Sequence, residues 1–134
     1  MGSISIINHI NYRHWYLNNQ LHRIGGPAVE RVNGDKEWHQ YGQLHRIDGP
    51  AIVYGNGNKE WWEDGKRHRI GGPAQDYTSG YKSWYQNGKK HRLDGPALEW
   101  SNGDKEWYFK GKYIQCSSQE EFDKLLKLNI ILIK

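Results

Sequence analysis

The sequence predicts an all-β protein: an elongated open array of 23-residue β-hairpin repeats with a short C-terminal α-helical cap. Three observations predict it. The chain repeats itself: His-Arg begins at His22, His45, His68 and His91, and Trp15, Trp38, Trp61, Trp84 and Trp107 keep the same step of 23. Pro27, Pro50, Pro73 and Pro96 keep it too, as do two glycine columns, Gly34 to Gly103 and Gly42 to Gly111. A fixed period of roughly 20 to 50 residues marks stacked units, none of which can bury its apolar face alone. Each unit also carries a turn dipeptide: Asn33-Gly34, Asn56-Gly57, Ser79-Gly80 or Asn102-Gly103. Finally, only 36% of residues are hydrophobic, yet there are 7 Trp and 9 Tyr. Rings cover much area from few residues, which suits a thin layer rather than an aliphatic globule.

The elements follow in order. Residues 4–10, ISIINHI, are short, β-branched and low in charge, and predict a strand. Residues 11–21 hold the second half of a repeat without its first, with Trp15 in the tryptophan column and Asn19 in a glycine column. A truncated unit is what an end cap looks like. The full repeats are 22–44, 45–67, 68–90 and 91–113, within a single domain of 1–134. In each, Gly-Pro-Ala opens a strand, where proline is tolerated because the first position need not donate a hydrogen bond. The strand turns at Asn-Gly or Ser-Gly and returns past the tryptophan to the second glycine. A loop then leads to the next His-Arg.

A two-residue type I′ turn at Asn-Gly sets the register. It predicts Ile52 opposite Trp61, Tyr54 opposite Lys59, Tyr77 opposite Lys82, Leu98 opposite Trp107 and Trp100 opposite Lys105. In 114–134, Ser117, Ser118, Glu120 and Glu121 form two overlapping capping boxes ahead of Phe122, Leu125 and Leu126. This predicts a helix over 118–128 that closes the last hairpin. The tail NIILIK, 129–134, is expected to pair as a final strand or to make a contact between chains.

The stretch Trp62-Glu63-Asp64-Gly65-Lys66-Arg67-His68 resembles the heart of a MORN repeat, whose unit is also a 23-residue β-hairpin. The pattern of aromatic, two residues, glycine, two residues, histidine recurs in every full repeat, except for His39 at one aromatic position. After the histidine a MORN unit continues with glycine. Here Arg23, Arg46, Arg69 and Arg92 stand instead, followed after one residue by Gly or Asp and then Gly-Pro-Ala. This is similar to the divergent MORN-like variant of phages, giant viruses and some bacteria, and covers about residues 12–113. The resemblance implies the hairpin-array fold. For function it implies scaffolding of a protein partner, binding of anionic lipid headgroups, or dimerisation. A viral setting would imply a sequestering, counter-defence protein in the host cell cytoplasm.

Charge and composition narrow the classes. The net charge of +4 favours an anionic partner. A lone cysteine, Cys116, excludes an intramolecular disulfide framework and fits a reducing cytosol. No run of 18 apolar residues is present, and the first ten residues lack a basic, then apolar, leader pattern, so neither a membrane span nor a signal peptide is expected. An open array with a greasy tail makes a homodimer an expected partner state, the second copy covering an exposed aromatic face.

The candidate site is the arginine column, Arg23, Arg46, Arg69 and Arg92, with steps of ~10 Å at two strands per repeat. A guanidinium fork matches phosphate oxygens, and the column can meet several of them. The competing reading ties each arginine to Asp48, Asp94 or the recurrent Glu37, Glu60 and Glu106; Gly25 and Gly71 stand where two of the four repeats would need the aspartate. The tryptophan column reads as packing. The variable aromatics Trp62, Tyr81 and Trp100 read as stacking partners for a base. The histidines stand too far apart to share a metal ion, and read as turn residues bonded to a neighbouring carbonyl. Cys116 beside a helix start could have a lowered pKa, but a single such cysteine reads first as inert. With no catalytic signature, the expectation is a non-enzymatic protein with no cofactor and no metal that captures a small phosphate-bearing ligand, such as a nucleotide signal. A nucleic-acid polymer is not expected as a partner.

Overall fold

The computed structural model describes residues 2–128; the expectation for the NIILIK tail lies outside them. The chain opens with β1 (Ile4–Asn8), β2 (Tyr12–Leu17) and β3 (Gln20–Leu21). Each of the next three repeats supplies four short strands. They are β4 (Val29–Arg31), β5 (Lys36–Glu37), β6 (His39–Gln40) and β7 (Gln43–Leu44) in the first. The second holds β8 (Ile52–Val53), β9 (Lys59–Glu60), β10 (Trp62–Glu63) and β11 (Lys66–Arg67). The third holds β12 (Gln75–Asp76), β13 (Lys82–Ser83), β14 (Tyr85–Gln86) and β15 (Lys89–Lys90). The last repeat runs β16 (Leu98–Glu99), β17 (Lys105–Phe109) and β18 (Lys112–Ile114), and the helix α1 (Gln119–Lys127) follows.

The hairpins form one open, unclosed antiparallel sheet in the order β1-β2-β4-β5-β8-β9-β12-β13-β16-β17-β18. The second half of each unit is a correction to the expectation. It is not a loop but a second hairpin: β6-β7, β10-β11 and β14-β15 are separate two-stranded ladders. The type I′ turn is here. Both central residues have positive φ at Tyr41-Gly42, Asp64-Gly65, Asn87-Gly88 and Lys110-Gly111, and at Asn18-Asn19 in the half repeat.

At the Asn-Gly pairs only the glycine has positive φ, as at Gly34 (96°) and Gly57 (94°). The Gly34 N–H donates to the Arg31 carbonyl, and the Arg31 N–H to the Asp35 carbonyl. This closes a three-residue loop ending in a left-handed glycine. The asparagine stays in ordinary space because its side chain is used otherwise: Asn33, Asn56 and Asn102 each accept the backbone N–H two residues on, at 2.9–3.0 Å. Ser79 takes the same place in the third repeat, its hydroxyl accepting the Tyr81 N–H.

The extra loop residue shifts the register by one, so the expected pairs do not form. Ile52 lies opposite Glu60, Gln75 opposite Ser83, and Leu98 opposite Glu106. A one-residue slip exchanges the faces of the returning strand. The recurrent glutamates, not the tryptophans, therefore face the aliphatic positions.

Successive units are held by the turn of one clasping the strand of the one before. The Gly65 N–H donates to the Leu44 carbonyl, and the Gly88 N–H to the Arg67 carbonyl. The histidine column does the rest, with the opposite polarity to that expected. Nδ1 of His22, His45, His68 and His91 accepts the N–H of Tyr41, Asp64, Asn87 and Lys110, at 2.9–3.1 Å. These donors are the left-handed first residues of the next I′ turns. An accepting Nδ1 needs a free lone pair, so each ring serves only while it is neutral.

Burial, with Lys110 adding, holds the His91 pKa below its ordinary 6.5. The unfolded chain then takes up the proton first. Stability is full above pH 6.5 and is lost as pH falls from there through the lowered folded value. Melting temperature titrated downward from that point is expected to fall, and to fall less steeply in His91→Gln.

The core is a thin line. Ala28, Ala51, Ala74 and Ala97 are fully buried where adjacent hairpins meet, with Val29, Ile52 and Leu98 beside them. Among the described residues it thickens at the C-terminal end, where Trp107, Ile114 and Phe122 pack together. The helix is where the sequence places it. The Ser118 hydroxyl caps it by accepting the Glu121 N–H, and the Glu121 carboxylate accepts the Ser117 N–H in return.

Candidate functional site

The arginine column is built by a local fold-back. In each unit the guanidinium lies over the tryptophan of the unit before it: Arg23 on Trp15, Arg46 on Trp38, Arg69 on Trp61 and Arg92 on Trp84, at 3.7–4.0 Å from the ring centre. Nη1 donates to the carbonyl of the proline four residues on, at 3.0–3.1 Å. The glycine before that proline has a reason. A Cβ at Gly26, Gly49, Gly72 or Gly95 would stand 2.5–3.0 Å from the guanidinium carbon. The Arg-x-x-Gly-Pro spacing is thus a pocket cut to seat a guanidinium over an indole.

Three of the four arginines also have an acid. Arg23 pairs with Glu30 at 3.2 Å, Arg46 with Asp48 at 3.0 Å, and Arg92 with both Asp94 and Glu99 at 2.9 and 3.3 Å. Among the described residues Arg69 has no ion pair. Gly71 stands where Asp48 and Asp94 stand, and Asp76, in the place of Glu30 and Glu99, is held by Lys82 at 2.6 Å. Burial lowers the Arg69 pKa, with Asp76 pulling the other way; the guanidinium nonetheless keeps its charge at neutral pH.

Between successive arginines lie clefts. One of about 330 Å³ separates Arg23 from Arg46, one of about 500 Å³ separates Arg46 from Arg69, and one of about 380 Å³ separates Arg69 from Arg92. The last has a wall of Gly71 and Gly72, and open space where a Gly71 side chain would be. Its Gln86 and His91 also border an adjoining hollow lined by Lys89 and Lys110. Against these four cations the two hollows present one carboxylate, Asp94, already paired with Arg92.

The aromatic candidates lie elsewhere. None of Trp62, Tyr81 and Trp100 lines the three clefts. Trp61 and Trp62 sit where the chain passes from β9 to β10, and their contacts differ. Trp61 carries Arg69, while Trp62 donates from its indole N–H to Glu60, with Arg67 over its ring at 4.7 Å. Tyr81 and Trp100 pack on each other at the hairpin turns, 5.0 Å between centres. The structure therefore keeps the arginines together and sends the three rings to other places. The tryptophans of the repeated column are the rings the arginines use.

The face bearing Trp62 carries a run of acids, Glu60 buried and Glu37 partly so. Glu60 accepts from Trp62, Gln75 and Tyr77. Burial raises its pKa, but those bonds outweigh burial and bring it below the usual carboxylate value. The bond from His39 holds Glu37 down at about 2, against burial and with Arg31 helping. Burial, with Glu121 adding, pushes the Cys116 thiol up rather than down, so of the two readings of this cysteine the inert one fits and the lowered pKa does not. Among the described residues no group of three or more His, Cys, Asp or Glu is placed to hold a metal ion. No described helix is long and apolar enough to cross a membrane.

A further column escapes a reading based on charge and aromatics. Ile24, Ile47, Ile70 and Leu93, each directly after an arginine, are 52–81% exposed. Their recurrence at the repeat step was the available signal.

Compared with protein-family models, curated proteins and solved structures, the chain finds no match. Its likeness to MORN-like arrays rests on the repeated residues alone.

Proposed function

We propose that this protein is a non-enzymatic, MORN-like binding module that captures a small phosphate-bearing ligand in the cleft between Arg69 and Arg92. One observation carries the reading. Arg69 alone in its column makes no ion pair with a carboxylate among the described residues, and it borders a basic cleft of about 380 Å³. Its fork is already oriented by Trp61 and Pro73, so little side-chain freedom is lost when it meets a phosphate. Cleft volume and charge suit a nucleotide-sized anion better than a polymer. The likeness to phage and giant-virus arrays supports sequestration of a nucleotide signal in a host cytoplasm as the biological form of this reading.

Calorimetric titration with a panel of linear and cyclic nucleotides tests it. Arg69→Ala is expected to weaken binding by about 10- to 100-fold, the loss of a charged hydrogen-bonded pair. Arg23→Ala, already paired with Glu30, should leave binding unchanged. The exposed column of Ile24, Ile47, Ile70 and Leu93 favours a second reading, a scaffold that offers this edge to a protein or to anionic lipid headgroups. No heat with any nucleotide, together with pelleting on anionic vesicles that an Ile47→Ser, Ile70→Ser double variant abolishes, would establish that reading instead.

A further inference from the structure

The two ends of the sheet are unlike. At the C-terminal end β18 carries Lys112, and its Ile114 is buried against Trp107 and Phe122 of the helical cap. At the N-terminal end β1 pairs only with β2, and all five of its residues are exposed. Strand edges are ordinarily guarded by charge, proline, a bulge or a covering element. Ile4-Ser5-Ile6-Ile7-Asn8 has no charge and no proline, and its register with β2 is unbroken.

The hydrogen bonds say which peptide groups are free. His9 and Tyr12 exchange both backbone bonds, and the Asn18 N–H donates to the Ser3 carbonyl. In an antiparallel pair bonded and non-bonded residues alternate. Ser5 and Ile7 therefore bond inward to β2, and the N–H and C=O of Ile4, Ile6 and Asn8 point outward. These three positions are symmetric about Ile6.

We propose that two copies of this chain join through β1, antiparallel, with the two-fold axis at Ile6. Ile6 then bonds to Ile6 of the second copy, and Ile4 to Asn8 in both directions. Every outward peptide group of the strand is satisfied by the same group set on the other, as an isologous interface requires. The side chains agree. Ile4, Ile6 and Asn8 share a face with Leu17, Trp15 and Arg13, and on the other face Ser5 meets Ile7. No like charges meet between the paired strands. Asn8 also lines an open hollow of about 540 Å³ with Ile6, Trp15 and Val32. The incoming Ile4, 76% exposed in the single chain, would stand opposite Asn8 at its rim. The two arrays become one continuous sheet, with the cap of each at its far ends. Among the described residues the other end of the sheet, β18, carries Lys112 and packs Ile114 under the helix, so it offers no equivalent unguarded edge and assembly is expected to stop at two.

Light scattering of the full chain across a concentration series tests this. The expected mass is twice 15.8 kDa, falling to 15.8 kDa on dilution. Ile6→Pro deletes an N–H that bonds nothing within the chain, so the β1-β2 ladder survives while self-pairing is blocked. It should be a monomer with near-normal melting. Ile4→Lys, a guarded edge, should give the same mass and stands in if the proline variant does not fold. In the wild-type dimer the amides of Ile4, Ile6 and Asn8 should exchange slowly; those at positions 4 and 8 in Ile6→Pro, and all three in Ile4→Lys, should exchange fast. A monomer at every concentration overturns the proposal, as does a dimer that persists in both variants. A monomer whose three amides are nonetheless protected also overturns it, because the edge is then covered by the chain itself.

Discussion

Phe122→Ala is expected to lower the unfolding free energy by about 3–5 kcal/mol, the range for deleting a fully buried aromatic ring. Phe122 is 0% exposed and joins α1 to Trp107 and Ile114. Elsewhere the core is a line of alanines and short aliphatics that a neighbouring unit covers. At the last repeat there is no next unit, and Phe122 with Leu125 and Leu126 takes its place. For a chain of 134 residues the loss corresponds to roughly 10–20 °C in melting temperature. Stacked units depend on their neighbours, so the damage should be local at first. Hydrogen exchange should speed up over β17, β18 and α1 and stay slow in β8 and β9. Uniform acceleration along the array would mean that the cap is coupled to every repeat.

Glu60→Ala should cost a comparable ~3–5 kcal/mol, by a different route. Glu60 is 3% exposed and is the shared acceptor of Trp62, Gln75 and Tyr77, with the Arg67 guanidinium 3.5 Å away. Gln75 in turn accepts from Ser83, so one carboxylate ties strands of two repeats. Removing it leaves donors and a cation without their acceptor, and the penalty is theirs as much as the lost bonds'. Glu60→Gln keeps one acceptor oxygen and should cost less than half as much. Equal losses for Ala and Gln, measured by chemical denaturation, would show that charge rather than hydrogen bonding holds this network. In the wild type the lowered Glu60 pKa makes its contribution present above the usual value of 4.5 and lost as pH falls through the folded value.

The candidate site was partly legible. That the arginines recur in register, and that Gly25 and Gly71 break the aspartate column, can be read from the text of the chain. Which arginine ends without an acid could not be, because Glu30 and Glu99 reach Arg23 and Arg92 from seven residues on, whereas Asp76 turns to Lys82. The purpose of Gly-Pro was also hidden. A glycine before proline reads as a strand opening, and only the folded-back guanidinium shows that a methyl group there would push the arginine off its seat.

By itself the sequence determined the unit length, the number of units, the open all-β class, and the helix with its Ser118–Glu121 cap. Those features depend on residues within a few positions of each other or on a strict period, and both survive in one dimension. The register, the second row of hairpins and the partners of His and Arg were decided only in three dimensions. An Asn-Gly pair is compatible with two turns, and the choice is made by where the asparagine side chain bonds. Likewise a Tyr or Lys holds a left-handed turn position here because a histidine 19 residues earlier accepts its N–H. Local spacing cannot report a contact that exists only once one unit lies on the next.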